Sequence, residues 1–296
     1  WGKFYGAWTM ESCVLTYDFD RFHAHEILSL IDTYGVTTLC CPPTMFRMFL
    51  NEGVEKYDLS SLEYVTIAGE ALNPDTFEQW RKATGLKLME GFGQTETTVT
   101  VLNIAGMTPK PGSMGKPSPQ YQVQIVDEEG MRCLPGETGE IVISCNPYPM
   151  GLMSCYYKDE NRTAEVIKDG WYHTGDTAWM DEDGYFWYVG RMDDIIKSSG
   201  YRIGPFEIES VLITHPSVLE CAVTGVPDPV RGQIVKATVV LVPGVEPSEE
   251  LKKELQDYVK KETSPYKYPR VIEFIKELPR TINGKIRRVA IRKGDE

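Results

Sequence analysis

The 296-residue chain contains no C-x-x-C pair, no H-E-x-x-H, no G-x-S-x-G and no G-x-x-x-x-G-K-[ST]. Without them, zinc-finger, metalloprotease, serine-hydrolase and P-loop readings lose their support. The seven cysteines are odd in number and scattered, with no Cys/His spacing that suggests a disulfide framework or a zinc site. That usage points to a reducing, cytoplasmic setting. No apolar run reaches membrane-spanning length and no signal peptide stands at the start, so no membrane partner is expected. Positive charge is scarce: 31 Lys and Arg face 43 Asp and Glu, for a net charge of -12. Nonspecific binding to nucleic acid needs a basic field and is therefore not expected, and an anionic ligand has to be held by local groups. The chain opens at Trp1, without a methionine and in what reads as core sequence, which suggests further sequence upstream.

What is present divides into two differently built halves around Tyr188 to Glu209, YVGRMDDIIKSSGYRIGPFEIE. Arg191 and Arg202 flank Asp193, Asp194, Lys197 and Gly200, which is too much charge for a buried strand and too much glycine for a helix. A charged loop at a domain boundary is a functional candidate. A solvated linker with surface ion pairs reads equally well from these residues alone.

Before that joint, helical patterns over Arg21 to Tyr34, Thr44 to Asn51 and Asn73 to Lys82 alternate with strand patterns at Val36 to Cys41, Tyr64 to Ile67 and Leu86 to Met89. Strand, loop and helix in repetition predict parallel pairing with right-handed crossovers. Ligands of open α/β sheets bind at the carboxyl ends of the strands. The loops Cys41 to Thr44, Ala68 to Leu72 and Gly91 to Thr97 should therefore converge. From Gln122 to Val189 the pattern is β (QVQIV, GEIVIS, GYFWYV), which predicts a small barrel or curled sheet. After the joint, helices over Glu207 to Ile213 and Ser248 to Glu262 mix with strands at Val218 to Thr224, Ile234 to Val242 and Val271 to Ile275. The fold class is α/β: part of a parallel α/β sheet domain, a small β-barrel subdomain, then a small α+β C-terminal domain.

Three stretches carry candidate chemistry. GFGQTET offers backbone N–H groups at Gly91 and Gly93, hydroxyls on Thr95 and Thr97, and the Glu96 carboxylate. Such a loop can meet phosphate oxygens while the carboxylate holds a magnesium ion. A Gly-rich turn with a capping Thr-x-Thr accounts for the same residues, and Glu96 stands where the dinucleotide fingerprint needs its third glycine. GWYHTGD ends in Asp176 on a tight turn, which suits a carboxylate accepting from a ribose diol, although a lone aspartate there is more often a turn residue. His173 reads as a packed histidine. Lys285 follows a flexible Asn283-Gly284 and could bring a point charge to a phosphoryl group. The competing reading is a solvated basic tail.

AGEAL, GFGQTET, GEIVI, GWYHTGD, GYFWYVGRMDDIIKSSGYRIGPFEIE, YKYPR and PRTINGKIRR stand in one order and spacing. In that order the whole chain resembles the adenylate-forming acyl-CoA synthetases, most of all the medium-chain branch. The resemblance implies a ligase that joins a small carboxylic acid to CoA at the expense of ATP, with Mg2+, through acyl-AMP. It implies that Gly69, Glu70 and Ala71 line the adenine slot, that Gly93 and Gln94 lie along the nucleotide, that Thr95 contacts the α-phosphate and that Glu96 holds the metal. Asp176 would bind the ribose with Arg191 beside it, and Arg202 would reach the phosphates. Lys285 would serve adenylation only. Asp193 would be the hinge between residues 1–192 (α/β to about 115, β-barrel-like from about 116) and a mobile domain, 193–296. Turning there would bring Ser199, Gly200 and Tyr201 to the pantetheine channel. Acetate-specific relatives carry a tryptophan where Gly93 stands, so a medium-chain or aromatic acid is expected in place of acetate.

The family's Ser/Thr/Gly-rich phosphate loop finds no match here. The chain therefore looks like the C-terminal half of the enzyme, inactive alone. A catalytically silent nucleotide- or CoA-binding remnant, or a relative passing its adenylate to another acceptor, are the alternatives.

Overall fold

The computed structural model of the protein describes residues 2–20, 22–280 and 286–294. It forms two compact units, Trp1–Thr174 with Trp179–Trp187, and Gly175–Ala178 with Tyr188–Glu296.

The first unit opens with α1 (Gly2–Thr9) and α2 (Ala24–Tyr34). It continues through β1 (Thr38–Cys41), α3 (Pro43–Glu52), β2 (Tyr64–Ala68), α4 (Pro74–Thr84) and β3 (Leu88–Gln94). The alternation has the predicted outcome: β1, β2 and β3 pair in parallel, Thr38 beside Tyr64 and Val65 beside Leu88. α4 shows how local sequence sets a boundary. Asn73 accepts from the Asp75 N–H at 2.7 Å, Pro74 takes the first helical position, and Gly85 ends the helix at φ 77. β4 (Thr98–Leu102) and β5 (Lys116–Pro117) then add antiparallel, giving the order β1-β2-β3-β4-β5.

Leu28, Phe46, Phe49, Phe77 and Trp80 from the helices close over Val65, Ile67 and Leu88 in one core. Phe46 meets Trp80 edge to face, centroids 5.0 Å apart.

The β-patterned segment expected to form a small barrel or curled sheet is a five-stranded sheet of β6 (Val123–Val126), β7 (Thr138–Ser144), β8 (Ile167–Lys168), β9 (Trp171–Met180) and β10 (Phe186–Arg191). Its order is β10-β9-β7-β6, with β8 on β9. The short α5 (Glu160–Val166) starts at Asp159, which accepts from the Arg162 N–H. Trp179 and Trp187 stack in parallel, centroids 5.2 Å apart and planes 7° from coplanar.

The second unit contains β11 (Ile196–Ser198), β12 (Tyr201–Ile203), α6 (Pro205–Leu212), β13 (Val218–Asp228), β14 (Gly232–Leu241), α7 (Glu249–Glu262), β15 (Val271–Ile275) and α8 (Arg288–Lys293). The sheet runs β12-β11-β14-β13, and β15 joins β14 in parallel. α7 has the amphipathic form its sequence predicts. Ser248 accepts from the Leu251 N–H, and Leu251, Leu255 and Val259 bury one face.

The indole N–H of the fully buried Trp80 has no acceptor among the described residues. Trp80→Ala is expected to lose about 3–5 kcal/mol of stability. Trp80→Phe should lose far less, because it also removes a buried donor without a partner. Urea unfolding followed by circular dichroism compares the two, and equal losses would contradict this account of the core.

Candidate active site

The Gly91 to Thr97 stretch is a β-hairpin tip. β3 extends through Gln94, and β4 returns with Phe92 beside Val101, Gly93 beside Val99 and Gln94 beside Thr98, with a bulge between Phe92 and Gly93. The strands come so close that a Cβ at Gly93 would lie 1.8 Å from the Thr98 carbonyl oxygen. Close approach of the backbone thus accounts for the glycine by itself. Thr98 sits at φ 73, a strained value for a β-branched residue. The Tyr121 hydroxyl holds it there, bonding the Thr97 carbonyl at 2.5 Å and lying 2.7 Å from Thr98 Oγ1.

Within the tip the side chains have different fates. Gln94 is tied at both ends: its Nε2 donates to the Thr174 carbonyl at 2.8 Å and its Oε1 accepts from the Tyr172 hydroxyl at 2.6 Å. Thr97 is buried, accepting from the Gln94 N–H and donating to the Thr98 carbonyl. Thr95 is exposed and Glu96 half-buried. Glu96 Oε1 accepts from the Tyr156 hydroxyl at 2.9 Å, and the Arg162 guanidinium lies 4.1 Å from the Tyr156 ring centre. Burial, then the bond and charge of Glu96, push the Tyr156 phenol above its ordinary range. Tyr156 escaped the sequence reading because it stands sixty residues from Glu96 with no local motif around it.

The loops after β1 and β2 meet each other, and the second of them reaches β3 itself. Thr44 donates to Glu70 Oε2 at 3.1 Å, and the Leu72 N–H donates to Glu90 Oε1 at 3.3 Å. Gly69 turns the AGEAL loop at φ 105, with Ala71 half-buried behind it. Glu90 is itself unexpected: a carboxyl only 4% exposed whose Oε2 has no hydrogen-bond partner among the described residues.

The second unit carries its own cluster. Asp176 is 5% exposed; its Oδ1 accepts from the Tyr188 hydroxyl at 3.0 Å and its Oδ2 faces Arg191 Nη1 at 3.5 Å. Burial first, and Asp176 second, push the Tyr188 phenol well above its ordinary value. Arg191 also reaches Asp193 at 3.4 Å. Arg202 is exposed on β12 opposite Lys197. Ser199 and Gly200 form the two-residue turn between β11 and β12, at φ 50 and φ 83, and Arg231 donates to Ser199 Oγ at 3.2 Å. Tyr201 stacks on Tyr266, centroids 4.1 Å apart. Lys285 lies outside the described residues. In the first unit, His173 is packed as expected, its Nδ1 2.8 Å from Glu140.

No cluster of three or more His, Cys, Asp or Glu able to hold a metal occurs among the described residues. A single half-buried carboxylate such as Glu96 suits Mg2+, which keeps most of its waters and takes one or two carboxylates alongside substrate phosphates.

The profile of the AMP-binding enzyme family matches residues 3–157, and that of the AMP-binding enzyme C-terminal domain matches residues 207–285. The chain is 49% identical over 296 residues to the mouse (Mus musculus) mitochondrial acyl-coenzyme A synthetase ACSM3, covering 99% of this chain and 51% of that protein. It is 48% identical over 291 residues to the human (Homo sapiens) mitochondrial acyl-coenzyme A synthetase ACSM5, covering 97% and 50%. The crystal structure of the anthranilate CoA ligase AuaEII with anthranoyl-AMP superposes with a TM-score of 0.86 at 36% identity, over 96% of this chain and 55% of that one. The chain spans about half the length of the curated relatives it matches. The cytoplasmic location is corrected by these relatives, both named as mitochondrial. All seven cysteines are free, which excludes a disulfide framework but does not distinguish one reducing compartment from another.

Burial raises the Glu90 carboxyl from its ordinary 4.5 to about 8, with the Leu72 N–H pulling partway back. Such a group is protonated in both folded and unfolded chains at low pH. It costs stability as pH rises from its unfolded value toward its folded one. Glu90→Gln should therefore gain on the native protein between about pH 5 and 8, by about 1.4 kcal/mol per pH unit at the steepest. Urea midpoints across that range check this, and a difference independent of pH would contradict it.

Proposed function

Because the chain belongs to the AMP-binding enzyme family, we propose that the protein carrying it is an AMP-forming acid–thiol ligase. In its first step a carboxylate oxygen attacks the α-phosphorus of ATP, forming the mixed anhydride acyl-AMP as the bond to the β-phosphate oxygen breaks and pyrophosphate leaves. In the second, the CoA thiolate attacks the acyl carbonyl carbon, the bond to the AMP oxygen breaks, and AMP leaves.

The observation that carries this reading is the hairpin tip at Thr95 and Glu96. It presents an exposed hydroxyl and a carboxylate braced by Tyr156, while Gln94 is committed to the scaffold. Thr95 would donate to the α-phosphate as its charge rises, the kind of aimed donor that lowers such barriers. Glu96 would hold Mg2+, which when bound offsets phosphate charge. Gly69, Glu70 and Ala71 would face the base, and Gly93 and Gln94 would keep the tip in register along the nucleotide. Asp176 would accept from the ribose hydroxyls beside Arg191, with Arg202 on the phosphates. Lys285 would neutralise the reacting carboxylate and phosphate in the first step only. Turning about Asp193 would then present Ser199, Gly200 and Tyr201 to the pantetheine arm. A medium-chain or aromatic acid is the proposed substrate, supported by the likeness to the anthranilate ligase, and the mitochondrion the proposed location, on the names of the relatives.

Asp176→Ala should weaken AMP binding at least about tenfold, since each hydrogen bond to a charged acceptor contributes roughly 1.5–3 kcal/mol. Calorimetry on the protein at full length measures it, and an unchanged affinity would remove Asp176 from the site. Lys285→Ala should stop pyrophosphate release from ATP and acid yet spare thioester formation from supplied acyl-AMP. Parallel loss of both half-reactions would rule out a lysine that serves one step.

A further inference from the structure

The turn at Asp193 and Asp194 is held by a residue from the far end of the chain. Arg292 Nη1 donates to the Asp193 carbonyl oxygen at 2.9 Å and to Asp194 Oδ1 at 2.6 Å. The Asp194 side chain is 12% exposed and that of Arg292 29%, so the pair is more shielded than the surface ion pairs that contribute little. The helix that carries Arg292 is itself fixed. On α8, Ala290 and Ile291 are buried, Ile291 packing with Ala222, Val240 and Leu278. Arg288 donates twice to Glu209 at 2.8 Å, and Glu209 in turn accepts from the Val223 N–H. α8 is thereby anchored to α6 and β13, and the Arg292 guanidinium extends that anchorage to the 193–194 peptide.

The bonds on the other flank are of a different kind. The N–H groups of Asp194 and Ile195 both donate to the Arg191 carbonyl, at 3.0 and 3.1 Å, and Arg191 Nε reaches Asp193 Oδ1 at 3.4 Å. Rotation about the N–Cα and Cα–C bonds of Asp193 breaks the contacts that reach back to Arg191. It leaves both Arg292 contacts intact, because the Asp193 carbonyl and Asp194 lie beyond those two bonds.

We propose that Arg292 is a positioning residue that clamps the Asp193–Asp194 peptide to α8 and so confines turning to the backbone bonds of Asp193. The role rests on the reading of Asp193 as the hinge. A pivot with one rigid flank delivers the body beyond it to a defined orientation. A pivot with two loose flanks spreads the turn over several residues, and a displacement of about 1 Å at reacting atoms can cost on the order of 10²-fold in rate.

The test uses the protein at full length and reads tryptic cleavage of the Arg191–Met192 bond under native conditions by mass spectrometry, beside the two half-reactions. Arg292→Gln is expected to speed that cleavage about tenfold, the loss of one charged hydrogen bond. It should slow adenylation and thioester formation together and leave AMP affinity unchanged. Arg292→Lys keeps a charged donor and should restore part of both effects. Ile291→Ala, which loosens α8 without touching the turn, provides the comparison at matched loss of global stability. An unchanged cleavage rate in Arg292→Gln, or one no faster than in Ile291→Ala at equal stability, overturns the clamp. Intact half-reactions in Asp193→Pro would instead overturn the hinge reading, and with it the clamp's part in catalysis, while cleavage still decides whether the clamp exists.

Discussion

No side chain fits between Gly93 and the carbonyl of Thr98, and the candidate site in the first unit depends on that closeness. Because β3 and β4 meet there, the chain reverses within Thr95 to Thr97 and puts one hydroxyl and one carboxylate on the outside of the turn. The cost is a strained Thr98, offset by the Tyr121 hydroxyl, with Gln94 fixing the tip to Tyr172 and Thr174. Rigid scaffolding beneath an exposed polar tip is what an aimed hydrogen-bond donor requires, since its benefit depends on not having to reorganise when charge develops.

Much of the scaffold was legible beforehand because its signals are local. Asn73-Pro74 marked the start of α4, Val271 to Ile275 matched β15 residue for residue, and the alternation of patterns gave the parallel pairing of β1, β2 and β3. What stayed hidden is held by partners distant in the chain. Nothing near Glu96 announces Tyr156, nothing near Asp193 announces Arg292, and nothing in GFGQTET says that its glutamine is turned inward. The close approach at Gly93 is hidden for the same reason, because the carbonyl it meets belongs to the next strand.

Glu90 differs from the shielded carboxylates of the second unit. In the second, Asp176, Asp194, Glu209 and Glu220 each face an arginine: Arg191, Arg292, Arg288 and Arg280. A guanidinium offers several donors from one plane, a shape that suits a carboxylate partner. In the first unit Glu90 accepts from one backbone N–H and has, among the described residues, no cation and no partner for its second oxygen, and burial raises its pKa to about 8. The support of the AGEAL loop therefore changes its charge as pH rises through the range where Glu90 loses its proton.

Trp179 directly follows one of the segments counted with the second unit, and Trp187 directly precedes the other. Their indoles lie face to face at a separation where the transition dipoles of two chromophores mix. Near-ultraviolet circular dichroism at the tryptophan bands is therefore where a change in their packing would register. Nature has left an optical gauge at the ends of the strands where the chain passes from one compact body to the other, readable without attaching any label.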